Sequence, residues 1–175
     1  MKHFKFYSKE DILSLTNIRR FETKLGERVK HITVADDWTK ALEQSTAKYV
    51  VLGIPEDIGI KANYGVSGAD TAWLPFLSCF LNNQSNDFLT GEDILLLGHF
   101  DFGDIKYLIE KNAYGQDELI EAYRHAVNMI DDGVENMIKV ITALKKIPIV
   151  IGGGHNNAYP IIKGCLLYTS DAADE

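Results

Sequence analysis

The hydrophobic residues of the chain follow two different spacings. Three short, nearly continuous apolar runs occupy residues 49–55 (YVVLGIP), 93–101 (DILLLGHFD) and 147–151 (IPIVI). Each run is too short for an apolar helix, and its β-branched residues and leucines are typical of strands buried on both faces. The pattern therefore predicts three strands.

Between these runs, apolar residues recur at helical spacing. The predicted helices lie at residues 8–21, 38–44, 70–81 and 117–146. Ser8 and Asp70 are placed to cap the helices that they begin, because short polar side chains accept hydrogen bonds from the first turn. An Asp-Asp-Gly sequence at 131–133 interrupts the last pattern, which favours two helices or one bent helix there.

Buried strands that alternate with amphipathic helices indicate βαβ units. Such units form a parallel sheet with helices on both faces, so the predicted fold class is α/β. The chain has no internal repeat, low-complexity segment or long linker. We therefore expect one domain, with no boundary before Gly164.

Composition narrows the functional classes. The 175 residues carry a net charge of −7, which argues against non-specific binding to nucleic acid or to anionic membranes. Two cysteines are too few for a disulfide framework. The charged N-terminus does not resemble a signal peptide, and no apolar run approaches membrane-spanning length. We expect a cytoplasmic protein.

The candidate chemistry follows the strands, because ligands bind beyond the carboxyl ends of a parallel sheet. His155 comes directly after three glycines in the sequence IVIGGGHNN. A neutral imidazole is a common metal ligand, and glycines let the backbone approach a metal. Two alternatives remain at this point: a surface histidine, or an anion site formed by the N–H groups of Gly152 to Gly154.

Other polar residues also follow predicted strands. Glu56 and Asp57 come after the first strand, and the second strand leads into His99, Asp101 and Asp104. The carboxylates suit metal binding or acid–base chemistry as well as they suit strand ends and turns, and a satisfied structural role is favoured for His99. We expect three solvated histidines and a core thiol elsewhere: His3, His31, His125 and Cys79.

Three segments in this order resemble the ureohydrolase family of arginase, agmatinase and formimidoylglutamase. Residues 148–160 (PIVIGGGHNNAYP) are similar to the family's strand and GGxH segment, whose histidine is a manganese ligand. Residues 99–104 (HFDFGD) are similar to its Asp-x-Gly-Asp strand end. Residues 53–69 (GIPEDIGIKANYGVSGA) resemble the loop after its first strand, and the spacing is nearest to that of formimidoylglutamases.

The resemblance implies a three-layer α/β/α sandwich with a parallel sheet and a centre of two manganese ions, to which His155 contributes a ligand. It implies hydrolysis of a C–N bond in a linear amidine, with formimidoylglutamate converted to glutamate and formamide. The alternatives are agmatinase or arginase activity with release of urea, or a non-catalytic binding protein of the same fold. Asn63 and Asn156 are the expected substrate-binding residues, and a homo-oligomer is the expected assembly.

The sequence also departs from the family pattern. Val66 stands where an arginine is expected, and the family's Asp-x-His-x-Asp cluster and later aspartate pair do not occur. We therefore interpret residues 1–164 as the N-terminal part of one ureohydrolase domain and residues 165–175 as a tail foreign to the family, similar to translated adapter sequence. The expectations are a chain that continues past Gly164 in its source gene, weak manganese binding and no turnover by these 175 residues, and an exposed apolar edge at the third strand.

Overall fold

The computed structural model describes residues 2–32 and 37–171, with side chains described as far as residue 166. In this part of the chain, four strands form one sheet in the order β1-β3-β2-β4. They are β1 (Phe4–Phe6), β2 (Tyr49–Gly53), β3 (Ile94–Phe100) and β4 (Ile147–Ile151). Strands β2, β3 and β4 are parallel, whereas β1 pairs antiparallel with β3. The α/β class is confirmed, and β1 is a strand that the apolar pattern did not reveal.

The helices connect and cover these strands. They are α1 (Lys9–Ser14), α2 (Leu25–Arg28), α3 (Trp38–Gln44), α4 (Ile58–Ala62), α5 (Trp73–Leu81), α6 (Gly103–Asn112), α7 (Gln116–Ala143) and α8 (Ala158–Asp171). Short 3₁₀ turns occur at Ala69–Thr71 and His155–Asn157.

Two hydrophobic clusters lie on opposite faces of the sheet, as alternation along a strand requires. Val50 and Leu52 of β2 belong to the cluster that contains the apolar face of α7. Val51, between them, packs in the other cluster with Trp73 and Leu77 of α5. Helix, sheet and helix therefore form the three layers that the sequence predicted.

Three helix predictions need correction. The predicted helix from Ser8 begins with the expected capping box, but α1 ends at Ser14, and Ile18 is exposed. Asp70 does not cap α5, which begins after Ala72; its carboxylate pairs instead with Lys106. For residues 117–146, only the alternative of two helices is wrong: Gly133 lies inside one continuous helix, α7, since the buried residues on both sides of it pack on the sheet and outweigh its low helix propensity.

Strand β4 differs from its two parallel neighbours. It pairs with β2 along one side and, within the described residues, with no strand along the other. Ile147 and Ile149 keep 44% and 37% of their surface exposed, so the prediction that this strand is buried on both faces is wrong. The expectation of an exposed apolar edge agrees with this arrangement.

None of the described helices is both long enough and apolar enough to cross a membrane.

Candidate functional site

The loops after β2 and β4 come together because the two strands are parallel neighbours. Gly152 and Gly153 have φ angles of 88° and 86°, a region that side chains rarely adopt, and they turn the chain sharply after β4. A Cβ atom at Gly153 would lie 2.4 Å from the carbonyl oxygen of Ile54. The glycines therefore allow this loop to pass directly against the end of β2.

Glu56 ties the two loops together from inside. Its side chain is buried, and its Oε1 accepts a hydrogen bond from the backbone N–H of Gly154 at 3.0 Å and another from Nδ2 of Asn157. Its Oε2 accepts from the N–H of Gly59 at 3.2 Å. One carboxylate thus fixes both the start of α4 and the segment that carries His155.

His155 is presented to solvent on the 3₁₀ turn that follows the glycines. Its imidazole makes no hydrogen bond or ion pair with any residue that the structure describes. The surface position agrees with the exposed-histidine alternative as well as with a ligand role. Both ring nitrogens remain available to a metal.

Asn156 and Asn63, the two predicted substrate-binding residues, lie in different surroundings. The Asn156 side chain is wedged between backbone segments, since a Cβ at either Gly59 or Gly154 would lie 2.2 Å from it. Its amide oxygen and nitrogen are both buried and have no hydrogen-bond partner in the described part of the chain. Asn63 is exposed at the C-terminal end of α4. Only Asn156 is next to His155.

A cavity of about 730 Å³ lies at the carboxyl ends of β2 and β3, and Glu56 and Asp57 are among the residues that line it. His99 and Asp101 line it together with Trp73, whereas His155 does not. The Nδ1 atom of His99 is buried without a partner among the described residues, so the expectation of a satisfied histidine is wrong. Burial, and secondarily the charge of Lys5, lowers the pKa of His99, which favours the neutral imidazole.

Asp57 is occupied by an ion-pair network. The buried carboxylate lies 2.8 Å from Nζ of Lys106 and 4.0 Å from Nζ of Lys61, and Lys106 also pairs with Asp70 at 3.0 Å. Burial alone would raise the pKa of Asp57, but the close approach of Lys106 and Ser67 and the charges of Lys106 and Lys61 outweigh it and lower the pKa. The network joins the loop after β2 to α6.

The other two candidate carboxylates, Asp101 and Asp104, contact groups of the protein itself. Asp101 accepts a hydrogen bond from the N–H of Gly103 at 3.0 Å. Asp104 lies 3.3 Å from Nδ1 of His3, which is half-buried, so His3 is not the solvated residue that we expected. These contacts support the interpretation of HFDFGD as a strand end and a turn.

Three further predictions have mixed outcomes. Cys79 is exposed rather than a core thiol. His31 is half-buried, and burial lowers its pKa, whereas His125 is exposed as predicted.

Asp131, which the sequence marked only as a helix interruption, has an unusual environment. Burial, followed by repulsion from Asp132 and Glu56, raises its pKa to about 6. Its Oδ1 is buried with no hydrogen-bond partner in the part of the chain that is described. Only the fold brings this helix residue near Glu56, so no local sequence signal could have identified it.

Among residues 2–32 and 37–166, no group of three or more histidine, cysteine, aspartate or glutamate side chains could hold a metal ion. His155 has the chemistry and exposure of one ligand, and its fixed backbone suits that role. The described residues supply no complete coordination shell with it.

The geometry is unfavourable for the alternative of an anion site. The N–H of Gly154 already donates to Glu56, and a phosphate among the glycines would lie close to that buried carboxylate. Like charges at short range in a poorly solvated site repel strongly.

Comparison with known proteins gives one family. The model of the Arginase family matches residues 47–172, which includes β2, β3, β4 and the glycine–histidine segment. The match extends past Gly164 into the segment that we interpreted as foreign, and that interpretation stays a prediction. No curated protein and no solved structure matches the chain.

Proposed function

The chain belongs to the arginase family, a family of metal-dependent ureohydrolases, and we propose that His155 is a manganese ligand of a hydrolase acting on a linear amidine. The observation that carries this proposal is the exposed imidazole on a glycine turn that Glu56 holds in place. A ligand needs a free nitrogen lone pair and a well-positioned backbone; His155 has no hydrogen-bond partner among the described residues, and Gly154 and Asn157 on either side of it donate to Glu56. A histidine in a solvated loop would not need a buried carboxylate beneath it.

The chain's own residues would contribute binding and orientation. Manganese, when bound, supplies the nucleophile, since coordination lowers the pKa of water. Neutral His155 would hold one metal ion, and imidazole together with carboxylates suits manganese better than thiolates do. Asn156 is adjacent to His155, but its amide is buried and unpartnered among the described residues, so its role in substrate binding stays a prediction.

We propose formimidoylglutamate as the substrate, with glutamate and formamide as products. The support is the resemblance of residues 53–69 to the corresponding loop of formimidoylglutamases. Asn63, exposed at the end of α4, is part of this loop, and its role in substrate binding stays a prediction. Agmatine and arginine are the competing substrates, and either would release urea.

The test uses the product of the source gene, whose DNA is first read across the codon for Gly164. With Mn²⁺ added, formamide and urea are measured after incubation with formimidoylglutamate, agmatine and arginine. We expect formamide from the first substrate and no urea from the others, and loss of activity in His155→Ala. Urea from agmatine or arginine would assign a sister activity, and no product from any substrate would favour a non-catalytic member of the family.

A further inference from the structure

Glu56 is a buried carboxylate without a cation. It is 2% exposed, and it forms no ion pair with the residues that the structure describes. Removing a carboxylate from water costs several kcal/mol unless charged partners or strong hydrogen bonds replace the water. Burial by itself therefore disfavours a carboxylate at position 56, and other interactions must compensate for it.

The compensation comes from three N–H donors, and two of them flank His155. Gly154, which donates through its backbone, is the residue before the histidine, and Asn157, which donates through its side chain, is two residues after it. The third donor is Gly59 at the start of α4. Hydrogen bonds to a carboxylate are about twice as strong as neutral ones, so the anionic form holds this segment firmly.

The neighbouring residue shows what a structural carboxylate looks like at the same strand end. Asp57 is equally buried, but it is neutralised by Lys106 at 2.8 Å. A residue that only filled space at position 56 could be apolar, since well-packed apolar groups replace buried charges at little cost. Glu56 instead accepts all three of its hydrogen bonds from the two segments that carry His155 and α4.

We propose that Glu56 is a positioning residue that fixes the His155 segment in the metal-free protein, so that the imidazole is already oriented when a metal arrives. The ligand role of His155 on which this inference rests is that of the proposed function. Groups that orient metal ligands from outside the coordination shell typically contribute about 10–100-fold to metal affinity. Glu56 would act in this way through the main chain.

The decisive variant is Glu56→Gln, which keeps the shape of the side chain but turns one acceptor oxygen into a donor. That new N–H₂ group must face either Gly59 or the pair formed by Gly154 and Asn157, so one set of hydrogen bonds is lost. Amide hydrogen exchange is measured on the metal-free product of the source gene, and the Mn²⁺ affinity of the same protein is measured separately. We expect exchange at residues 58–60 or 153–157 to be about 10-fold faster or more, and metal affinity to fall about 10–100-fold.

Asp57→Asn is the matched control, because it alters a buried carboxylate that does not contact the glycine segment. Its effect should appear near Lys106 and should leave residues 153–157 unchanged. Unaltered exchange in Glu56→Gln, or faster exchange spread evenly over β2, β3 and α7, would overturn the inference. If Glu56→Gln does not fold, Asn157→Ala removes one donor instead, and the same local pattern is expected.

Manganese affinity distinguishes a failure of the positioning role of Glu56 from a failure of the proposed function. If His155→Ala lowers manganese affinity while Glu56→Gln does not, the positioning role alone is wrong. If His155→Ala binds manganese like the unmodified protein, the proposed function fails, whatever the exchange data show.

Discussion

Gly153 passes so close to Ile54 that a Cβ atom at position 153 would lie 2.4 Å from the Ile54 carbonyl oxygen. This contact joins the loop after β4 to the end of β2. Gly153 is two residues before His155, and Ile54 is two residues before Glu56. A side chain at position 153 would therefore displace the segment as a whole. The neighbouring glycine provides a comparison, since its φ angle is almost the same.

Gly153→Ala should destabilise the protein more than Gly152→Ala. Both alanines would adopt an unfavourable positive φ, which costs about 1–2 kcal/mol, but only position 153 adds a clash with backbone. At Gly152 the nearest atom to an added Cβ is 3.7 Å away. We expect an additional loss of about 1–3 kcal/mol for Gly153→Ala in urea unfolding. Equal losses for the two variants would contradict the close approach.

Lys106→Met should leave Asp57 buried with Lys61 at 4.0 Å as its nearest cation. Removing one partner of a buried ion pair typically lowers the free energy of unfolding by about 3–5 kcal/mol. For Lys106→Met we expect it to fall by about 2–3 kcal/mol, because Lys106 is partly exposed. Lys111→Met, on the exposed surface of the same helix, is the control and should change the unfolding free energy by less than about 0.5 kcal/mol.

The effect of Lys106→Met should depend on pH. Because the pKa of Asp57 is lowered in the folded protein from its ordinary value of 3.8, the stabilisation is fully present above pH 3.8. It is lost as the pH falls through the lowered value. The two unfolding free energies should therefore converge in acid. A constant difference across this range would show that the ion pair is not its source.

Asp131→Asn should stabilise the protein at neutral pH. The pKa of Asp131 is raised from 3.8 to about 6, so between these two pH values the folded state holds a proton that the unfolded state has released, and above them the folded state carries a buried charge. The unfolding free energy should accordingly fall as the pH rises from 3.8 to about 6, and the asparagine variant should lack this fall. Allowing for solvent screening, we expect a gain of about 1 kcal/mol at pH 7.

Asp132→Asn is the comparison for Asp131, because it removes a neighbouring charge from an exposed position. It should give a smaller change in the same direction, since Asp132 contributes to the raised pKa of Asp131. Unfolding free energies measured between pH 4 and 7 show which of the two variants has the larger effect. A larger effect for Asp132→Asn would show that burial of Asp131 is not the main cause.

The spacing of hydrophobic residues predicted the strands and helices that are defined by neighbouring residues in the sequence. Strands β2 and β4 and helix α3 lie where continuous apolar runs and helical spacing placed them. Strand β1 was missed because three residues carry no usable periodicity, and its pairing with β3 depends on contacts far along the chain. The exposure of β4 was visible only from its place in the sheet.

The candidate site also combines features that the local sequence reveals with features that depend on the fold. The glycines and His155 are adjacent in sequence, so the turn and its exposed histidine could be expected. Glu56 could be named as a candidate but not given a role, because its partners Gly154 and Asn157 are about a hundred residues away. The raised pKa of Asp131 likewise comes from burial and from charges that the fold brings together.

The central claim is that His155 is a manganese ligand, and metal stoichiometry tests it most directly. The product of the source gene and its His155→Ala variant are equilibrated with Mn²⁺ and passed through a desalting column, and bound manganese is counted per chain. His125→Ala removes an exposed histidine from α7 and is the control. We predict that His155→Ala loses about one manganese ion per chain, or binds it more weakly by over ~100-fold, while His125→Ala matches the unmodified protein. Equal manganese content and affinity in all three proteins would contradict the assignment of His155.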